Sequence, residues 1–462
     1  MIFTELRFFP FLLVVLGVHW LLPWARARKL WLLLASWAFY ATWDWRFLSL
    51  LLFSTVLDYT VGLRLVRPGA RKKAWVTVSL VGNLGLLGFF KYYDFFVGSA
   101  ADFLALLGLQ AHLPTLNIIL PVGISFYTFQ TLSYALDVYR GQIEPRRNLL
   151  DFAMFVAFFP QLVAGPIVRA TVFLPQLDRP RRWADVDVRA ALVLFLVGFL
   201  KKACIADGVA PAVDRYFAAP ESFGVLSAWI GVLCYATQIY CDFSGYSDMA
   251  IACAALFGYR LVLNFNRPYL ASDLTDFWRR WHMSLSSWLR DYLYVPLGGN
   301  RGGRLRTYRN LMLTMLLGGL WHGAAWNFVL WGGLHGVGLA FLRALRENGV
   351  SLRIPRWLGV ALTFWFVCVA WIFFRAQNMA DAGVVLRAFV LLRSTGQAAL
   401  DPRILWVLAA LAVVHALPRT PALTSWWRRG PGWLFAGGYA LAVAVVVPFI
   451  AVNFVPFIYF QF

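Results

Sequence analysis

The sequence predicts an all-α, polytopic membrane protein: a helical bundle of about 11 transmembrane helices, some of them broken or re-entrant. Three observations predict it. Of 462 residues, 61% are hydrophobic, 17% aromatic and only 14% charged, too little polar side chain to cover such a core in water. Apolar runs long enough to cross a ~30 Å hydrocarbon layer, about 20 residues each as helices, recur along most of the chain. These runs lack the alternation of apolar and polar residues that marks strands, which argues against an outer-membrane barrel. The formal net charge of +20 would suggest nucleic acid in a water-soluble protein. Here Lys and Arg collect in short connections between the runs, as the positive-inside rule expects, so no nucleic-acid partner is inferred.

In chain order, spans are expected near 8–24, 30–43, 47–65, 74–97, 117–139, 187–210, 223–240, 310–342, 357–374, 404–417 and 433–452. The basic connections 64–73, 179–189, 343–356 and 419–429 belong in the cytoplasm, and the acid-bearing or nearly uncharged stretches 98–116 and 213–222 belong outside. The "ARA" at 25–27 resembles a signal-peptidase site. However, Glu5 offsets Arg7 before the first run, and Arg26, Arg28 and Lys29 follow it, the reverse of the charge order of a signal peptide. A retained first span with an outside N-terminus is therefore expected. Without repeats or low-complexity linkers, residues 1–462 read as a single membrane domain whose motif-rich core is about 117–376. The five cysteines form no CxxC and no Cys-His set at metal spacing, so they read as small core residues and no metal site is expected.

Three segments depart from simple spanning helices. In "FFPQLVAGPIVR" (158–169), Pro160, Gly165 and Pro166 interrupt an apolar run; each proline removes a backbone donor and clashes with the preceding turn. Such a segment survives at membrane depth only inside protein or beside a water-filled cavity. In "LPVGISFYTFQ" (120–130), Pro121 and Gly123 open an apolar helix. The third segment, 310–342, is too long: 33 helical residues would run roughly 50 Å, against ~30 Å for one span. Arg304, Arg306 and Arg309 before it and Arg343 and Arg346 after it also put both ends on the same side. The glycines at 318, 319 and 323 offer a break, which would leave His322 at an irregular point deep in the structure.

Intramembrane ionisable residues are costly, and imidazole suits proton transfer near neutrality. His322 and His335 lie 13 residues apart, about 220° around a continuous helix, so they need separate explanations. His335, among Gly332, Gly333, Gly336 and Gly338, reads as a packing histidine hydrogen-bonded to a neighbouring helix. His322, flanked by Trp321 and Gly323, is the functional candidate. A second segment, 275–310, sets seven arginines between Arg279 and Arg309 against a single acid, Asp291, interleaved with tryptophans and tyrosines. The mixture suits a membrane interface. It equally suits a cytoplasmic mouth, built on Arg279, Arg280 and Arg290, that attracts an anionic donor. His282 lies between the arginine pair and an apolar helix.

Several motifs in order resemble the membrane-bound O-acyltransferase (MBOAT) family, and within it the bacterial alginate O-acetyltransferase branch. They are "LPVGISFYTFQTLSYALDVYRG" (120–141), "FPQLVAGPIVR" (159–169), "GFLKKACIAD" (198–207), "YCDFSGYSDMAIACAALFGY" (240–259), "NFNRPYLASDLTDFWRRWHMSLSSWLRDYLYVPLGGNR" (264–301), "LWHGAAWNFVLWGGLHG" (320–336) and "WIFFRA" (371–376). The resemblance implies the MBOAT fold and a transfer of acetyl from a cytoplasmic thioester, acetyl-CoA by expectation, across the bacterial inner membrane to an extracytoplasmic polysaccharide such as alginate. It puts His322 in the place of the family's catalytic histidine and His282 where the family carries a second functional His or Asn. It also implies a separate periplasmic partner of the serine-esterase type, since this chain has no GxSxG elbow. D-alanyl or other acyl transfer to a wall polymer is the alternative within the family. Outside enzymology, a polysaccharide or solute transporter shares the broken helices. No inverted repeat supports it, and few buried carboxylates such as Asp242 and Asp248 are available for ion coupling.

Overall fold

The computed structural model describes residues 1–109, 113–350, 354–417, 427–449 and 457. Among them no strand forms beyond one isolated bridge between Phe223 and Ala398, and the chain is helical as the composition requires. Five helical stretches are long and apolar enough to cross a membrane: Ala25–Leu65, Lys72–Leu106, Trp326–Glu347, Arg356–Arg375 and Gly432–Phe449. Phe8–Leu21 and Ile404–Ala416 are apolar but shorter. Residues 419–426 of the last basic connection and the end of the final expected span, 450–452, lie outside the described residues, as do 110–112 and 351–353.

The backbone divides into two compact units, Met1–Val188 with Ala250–Val262, and Arg189–Met249 with Leu263–Phe462. The first contains α1 (Phe8–Leu21), α2 (Ala25–Asp44), α3 (Leu48–Leu65), α4 (Lys72–Leu87), α5 (Tyr93–Leu106), α6 (Ile124–Tyr139), α7 (Leu149–Ala157), α8 (Phe159–Leu162) and α9 (Ala170–Phe173). A π-helical turn, Gly88–Tyr92, joins α4 to α5 without a break. The expectation of an outer loop from residue 98 is therefore corrected: α5 runs on to Leu106, and the left-handed Gly108, with φ +77, follows two residues later. The helix expected from 117 starts only at Ile124. Gly123 precedes it with φ +76, a left-handed conformation open to glycine, and a Cβ there would sit 2.7 Å from the Leu162 carbonyl oxygen.

The interrupted segment 158–169 is broken as expected. α8 lasts one turn, and residues 163–169 follow without regular structure. Phe158, Phe159, Ala164 and Val168 are fully buried, with Phe158 against Phe173 and Tyr259 and Phe159 against Phe39 and Phe257. Packed rings enclose this backbone. A polar cluster lies inside the same unit, where Ser79 and Asn83 of α4 donate to the buried carboxylate of Asp58 on α3.

The second unit begins with α10 (Val188–Phe199) and α11 (Asp207–Ala218), continuous through a π-helical stretch, Leu200–Ala206. Gly198 and Gly245 let that stretch meet the next helix closely, each blocking the other's Cβ position with its carbonyl oxygen. Lys202 then reaches Asp207 at 2.7 Å and Asp242 at 2.9 Å, and Lys201 reaches Asp248 at 2.7 Å. The helix α12 (Val225–Leu256) is 32 residues long, nearly three times the length of an ordinary helix, about 11–12 residues. The expected span 223–240 stops too early, because its apolar pattern continues through "YCDFSGYSDMAIACAAL" with no proline. After it come α13 (Leu274–Arg280), α14 (Met283–Leu289), α15 (Arg304–His322), α16 (Trp326–Glu347), α17 (Arg356–Arg375), α18 (Met379–Val390), α19 (Ile404–Ala416) and a last helix, Gly432–Val446.

The overlong run 310–342 resolves into an antiparallel hairpin. α15 ends at His322, residues 323–325 turn, and α16 begins at Trp326. Of the three glycines expected to break the run, only Gly323 does so. There the Phe328 ring folds back so closely that a Cβ would sit 2.1 Å from it. Gly319 instead packs inside the hairpin, where a Cβ would sit 2.1 Å from the Phe328 carbonyl oxygen, and a Cβ on Gly332 would sit 2.2 Å from the Met315 carbonyl oxygen. Small residues bring the two backbones together where lipid offers no hydrophobic drive for helix association. Both basic ends come together, as their charge predicts: Glu347 pairs with Arg343 at 2.7 Å and Arg304 at 3.6 Å and accepts from Tyr308 at 2.9 Å.

Candidate active site

His322 is the last residue of α15, a helix of 19 residues and so about 28 Å from the charged end of the hairpin at 1.5 Å per residue. α17 runs back beside α16, and Asn327 of α16 donates to the Ala376 carbonyl at 2.9 Å. This brings Phe374 to the hairpin tip. The His322 ring lies 5.0 Å from Trp321, 5.1 Å from Trp331 and 5.4 Å from Phe374, centre to centre and edge to face. Trp331 in turn stacks on Trp371. Next to it, at Arg375, the cationic end of α17 pairs with Asp214 at 2.7 Å.

His282 arrives from the other side. "TDFWRRW" forms α13 because Asp273 caps it, accepting from Asp276 N–H at 2.8 Å. The chain then turns sharply at His282, whose φ of 43° and ψ of 52° are left-handed, a conformation costing a histidine on the order of 1 kcal/mol. α14 starts immediately after. The turn is held by an extended segment: Asn266 N–H bonds the Arg280 carbonyl, and the Asn264 carbonyl accepts from Met283 N–H, both at 2.9 Å. The His282 ring packs on Phe243 of α12 at 4.7 Å and stands 6.3 Å from the His322 ring, centre to centre. Both imidazoles are buried, 0% and 4% exposed. The two residues singled out 40 positions apart are thus brought together.

His335 is not brought to them in the same way. It sits in mid-α16, fully buried, stacked on Phe277 and edge-on to Trp278, Trp331 and Phe366. The expectation of a hydrogen bond to a neighbouring helix is corrected: among the described residues neither ring nitrogen has a hydrogen-bond partner. The small residues around it admit aromatic rings, and these rings do the packing.

The three arginines of the expected basic mouth separate. Arg280 pairs with Asp276 at 2.8 Å and Arg290 with Asp291 at 2.7 Å, so nearby acids offset both charges; Arg279 is exposed. Sequence reading missed Asn264, Ser247 and Ser284. Asn264 is completely buried, and its side chain touches His282 and both serines. The signal was present in "NFNRPY", two amides in a short apolar, non-helical stretch just before Pro268. Asp242 and Asp248, weighed as ion-coupling carboxylates, are each paired with a lysine.

The model of the MBOAT, membrane-bound O-acyltransferase, family matches residues 144–380, a range that includes Asn264, His282 and His322. A probable alginate O-acetylase of Azotobacter vinelandii is 47% identical over 385 residues, 82% of this chain and 76% of the relative. A peptidoglycan O-acetyltransferase of Helicobacter pylori is 41% identical over 84% of this chain and 79% of its own length. A teichoic acid D-alanyltransferase of Bacillus subtilis is 28% identical over 58% of this chain and 72% of its own. The chain belongs to the membrane-bound O-acyltransferase family and is a multi-pass membrane O-acyltransferase.

Proposed function

We propose that this protein transfers an acetyl group from acetyl-CoA, presented on the cytoplasmic side of the bacterial inner membrane, toward an extracytoplasmic polysaccharide. The observation that carries the reading is the meeting of His282 and His322, 6.3 Å apart between ring centres, in a buried aromatic enclosure. In this reading His322 is the general base. It takes the proton of an acceptor hydroxyl as that oxygen attacks the thioester carbonyl; the new C–O ester bond forms, the C–S bond breaks, and the departing thiolate takes the proton back. His282 either orients His322 or stabilises charge at the carbonyl. The enclosure keeps out water, the competing acyl acceptor. Arg279, with the partly offset Arg280 and Arg290, would draw the anionic donor to the mouth. The two contact units are read as one functional domain, 1–462, because α12 runs through both.

The relatives named for alginate and peptidoglycan O-acetylation support acetyl as the group and a polysaccharide as its destination. A separate periplasmic partner of the serine-esterase type would complete delivery, because no GxSxG elbow occurs here. D-alanyl transfer to a wall polymer is the second reading, favoured by the teichoic acid D-alanyltransferase likeness and ranked below because that likeness is lower and shorter. The pairing of Asp242 and Asp248 with lysines argues against ion-coupled transport. The test is purified protein in detergent given radiolabelled acetyl-CoA. Transfer or slow hydrolysis, lost in an inserted His322→Ala variant, is expected; no turnover together with solute uptake into liposomes would sink the reading.

A further inference from the structure

The amide of Asn264 can be oriented without ambiguity, and that orientation determines the protonation of His282. Asn264 Oδ1 lies 3.2 Å from the Ser284 backbone nitrogen and 2.9 Å from Ser284 Oγ, while its Nδ2 donates to Ser247 Oγ at 3.3 Å. A backbone N–H only donates, so turning the amide over would set two donors against each other in a fully buried place. The oxygen therefore faces Ser284, and the same oxygen lies 3.2 Å from His282 Nδ1. Because that oxygen is an acceptor, Nδ1 must carry the hydrogen. We propose that Asn264 is a positioning residue that locks His282 in its Nδ1–H tautomer, making Nε2 the only nitrogen of His282 that can take up a proton.

This deepens the O-acetyl-transfer reading and rests on it for its meaning. In the neutral state His282 then carries a lone pair at Nε2 and has no N–H there to offer a carbonyl oxygen. It acts by accepting: a proton, or a hydrogen bond from whatever His322 or the acceptor hydroxyl presents. As imidazolium it would hold hydrogens on both nitrogens, with Nδ1 still committed to Asn264. The left-handed turn at His282 and the bond from Met283 N–H to the Asn264 carbonyl fix the backbone on both sides of this contact. Asn264 thus holds the residue in place as well as its tautomer.

The test begins with the full chain in detergent micelles, its six histidines labelled with 15N, and the His282 signals assigned by their absence in His282→Gln. The expected spectrum has protonated Nδ1 and unprotonated Nε2; an Nε2–H tautomer in the wild-type protein overturns the proposal whatever the activity. Asn264→Ala should shift His282 toward Nε2–H and lower acetyl-CoA turnover at least tenfold. Asn264→Asp keeps an acceptor beside Nδ1 and should retain turnover, with the acidic limb of its kcat/KM profile moved up by about one pH unit, since a carboxylate favours the imidazolium. Equal loss in both variants with an unchanged tautomer would reduce Asn264 to packing. The tautomer is read without turnover. A wild-type protein with the expected spectrum but no acetyl transfer would leave this assignment standing and remove the proposed function.

Discussion

His322 and His335 occupy the two arms of one hairpin and are almost equally buried, 4% and 0% exposed, yet their surroundings differ in kind. His335 is in mid-helix, where its ring is one more flat surface among Phe277, Trp278, Trp331 and Phe366. His322 ends a helix at a turn, and the second imidazole next to it is held through Nδ1 by a buried amide. Burial alone therefore does not single out one histidine. What sets His322 apart is its position at a helix end, with another titratable ring across a short gap.

The largest expected effect that tests this contrast is that of His322→Ala. Losing a general base should lower acetyl transfer by about 10²–10⁴-fold in protein that still inserts and purifies normally; an inserted variant with wild-type turnover would erase the distinction. Replacing the neighbour, His282→Ala, should cost about 10²-fold through lost positioning or proton acceptance, and unchanged turnover would make it a packing residue like His335. Gly319→Ala addresses the frame that separates the two sites. Its added carbon meets the Phe328 carbonyl oxygen at 2.1 Å, and such overpacking costs roughly 1–3 kcal/mol, readable as a lower thermal midpoint in detergent; an unshifted midpoint would show that the arms separate freely. The smallest effect belongs to His335→Phe, which keeps the stacked volume. Activity within about twofold of wild type is expected, and a loss matching that of His282→Ala would end the comparison.

Much of this frame was readable in the sequence, for reasons that differ from place to place. The hairpin followed from excess length and from arginines at both ends of the 310–342 run, and Glu347 gathers those arginines as that argument requires. The extents of α5 and α12 were misjudged because composition changes before a helix has reason to stop; only a breaker such as Gly108 fixes the end. Residues 318 and 319 were read as breaks although they are contact points, since a glycine's role depends on what approaches it. The site was only partly readable. Helical phase separated His322 from His335, but the meeting with His282 came from family motifs, because no local rule spans 40 residues. Asn264 escaped altogether: its work is done by one oxygen, in a loop with no periodicity.

The touching backbones of α15 and α16 have a consequence for the evolution of this enzyme class. Because Gly319 and Gly332 fix the hairpin by main-chain contact, the location of His322 does not depend on the bulk of the rings around it. Phe374 and Trp331 border the imidazole without anchoring it. Exchanging one of them for a smaller residue would enlarge the room beside the histidine and leave the histidine where it is. Under the proposed function, acyl length and acyl chemistry would then rest on different parts of the chain, so that one could drift while the other is kept.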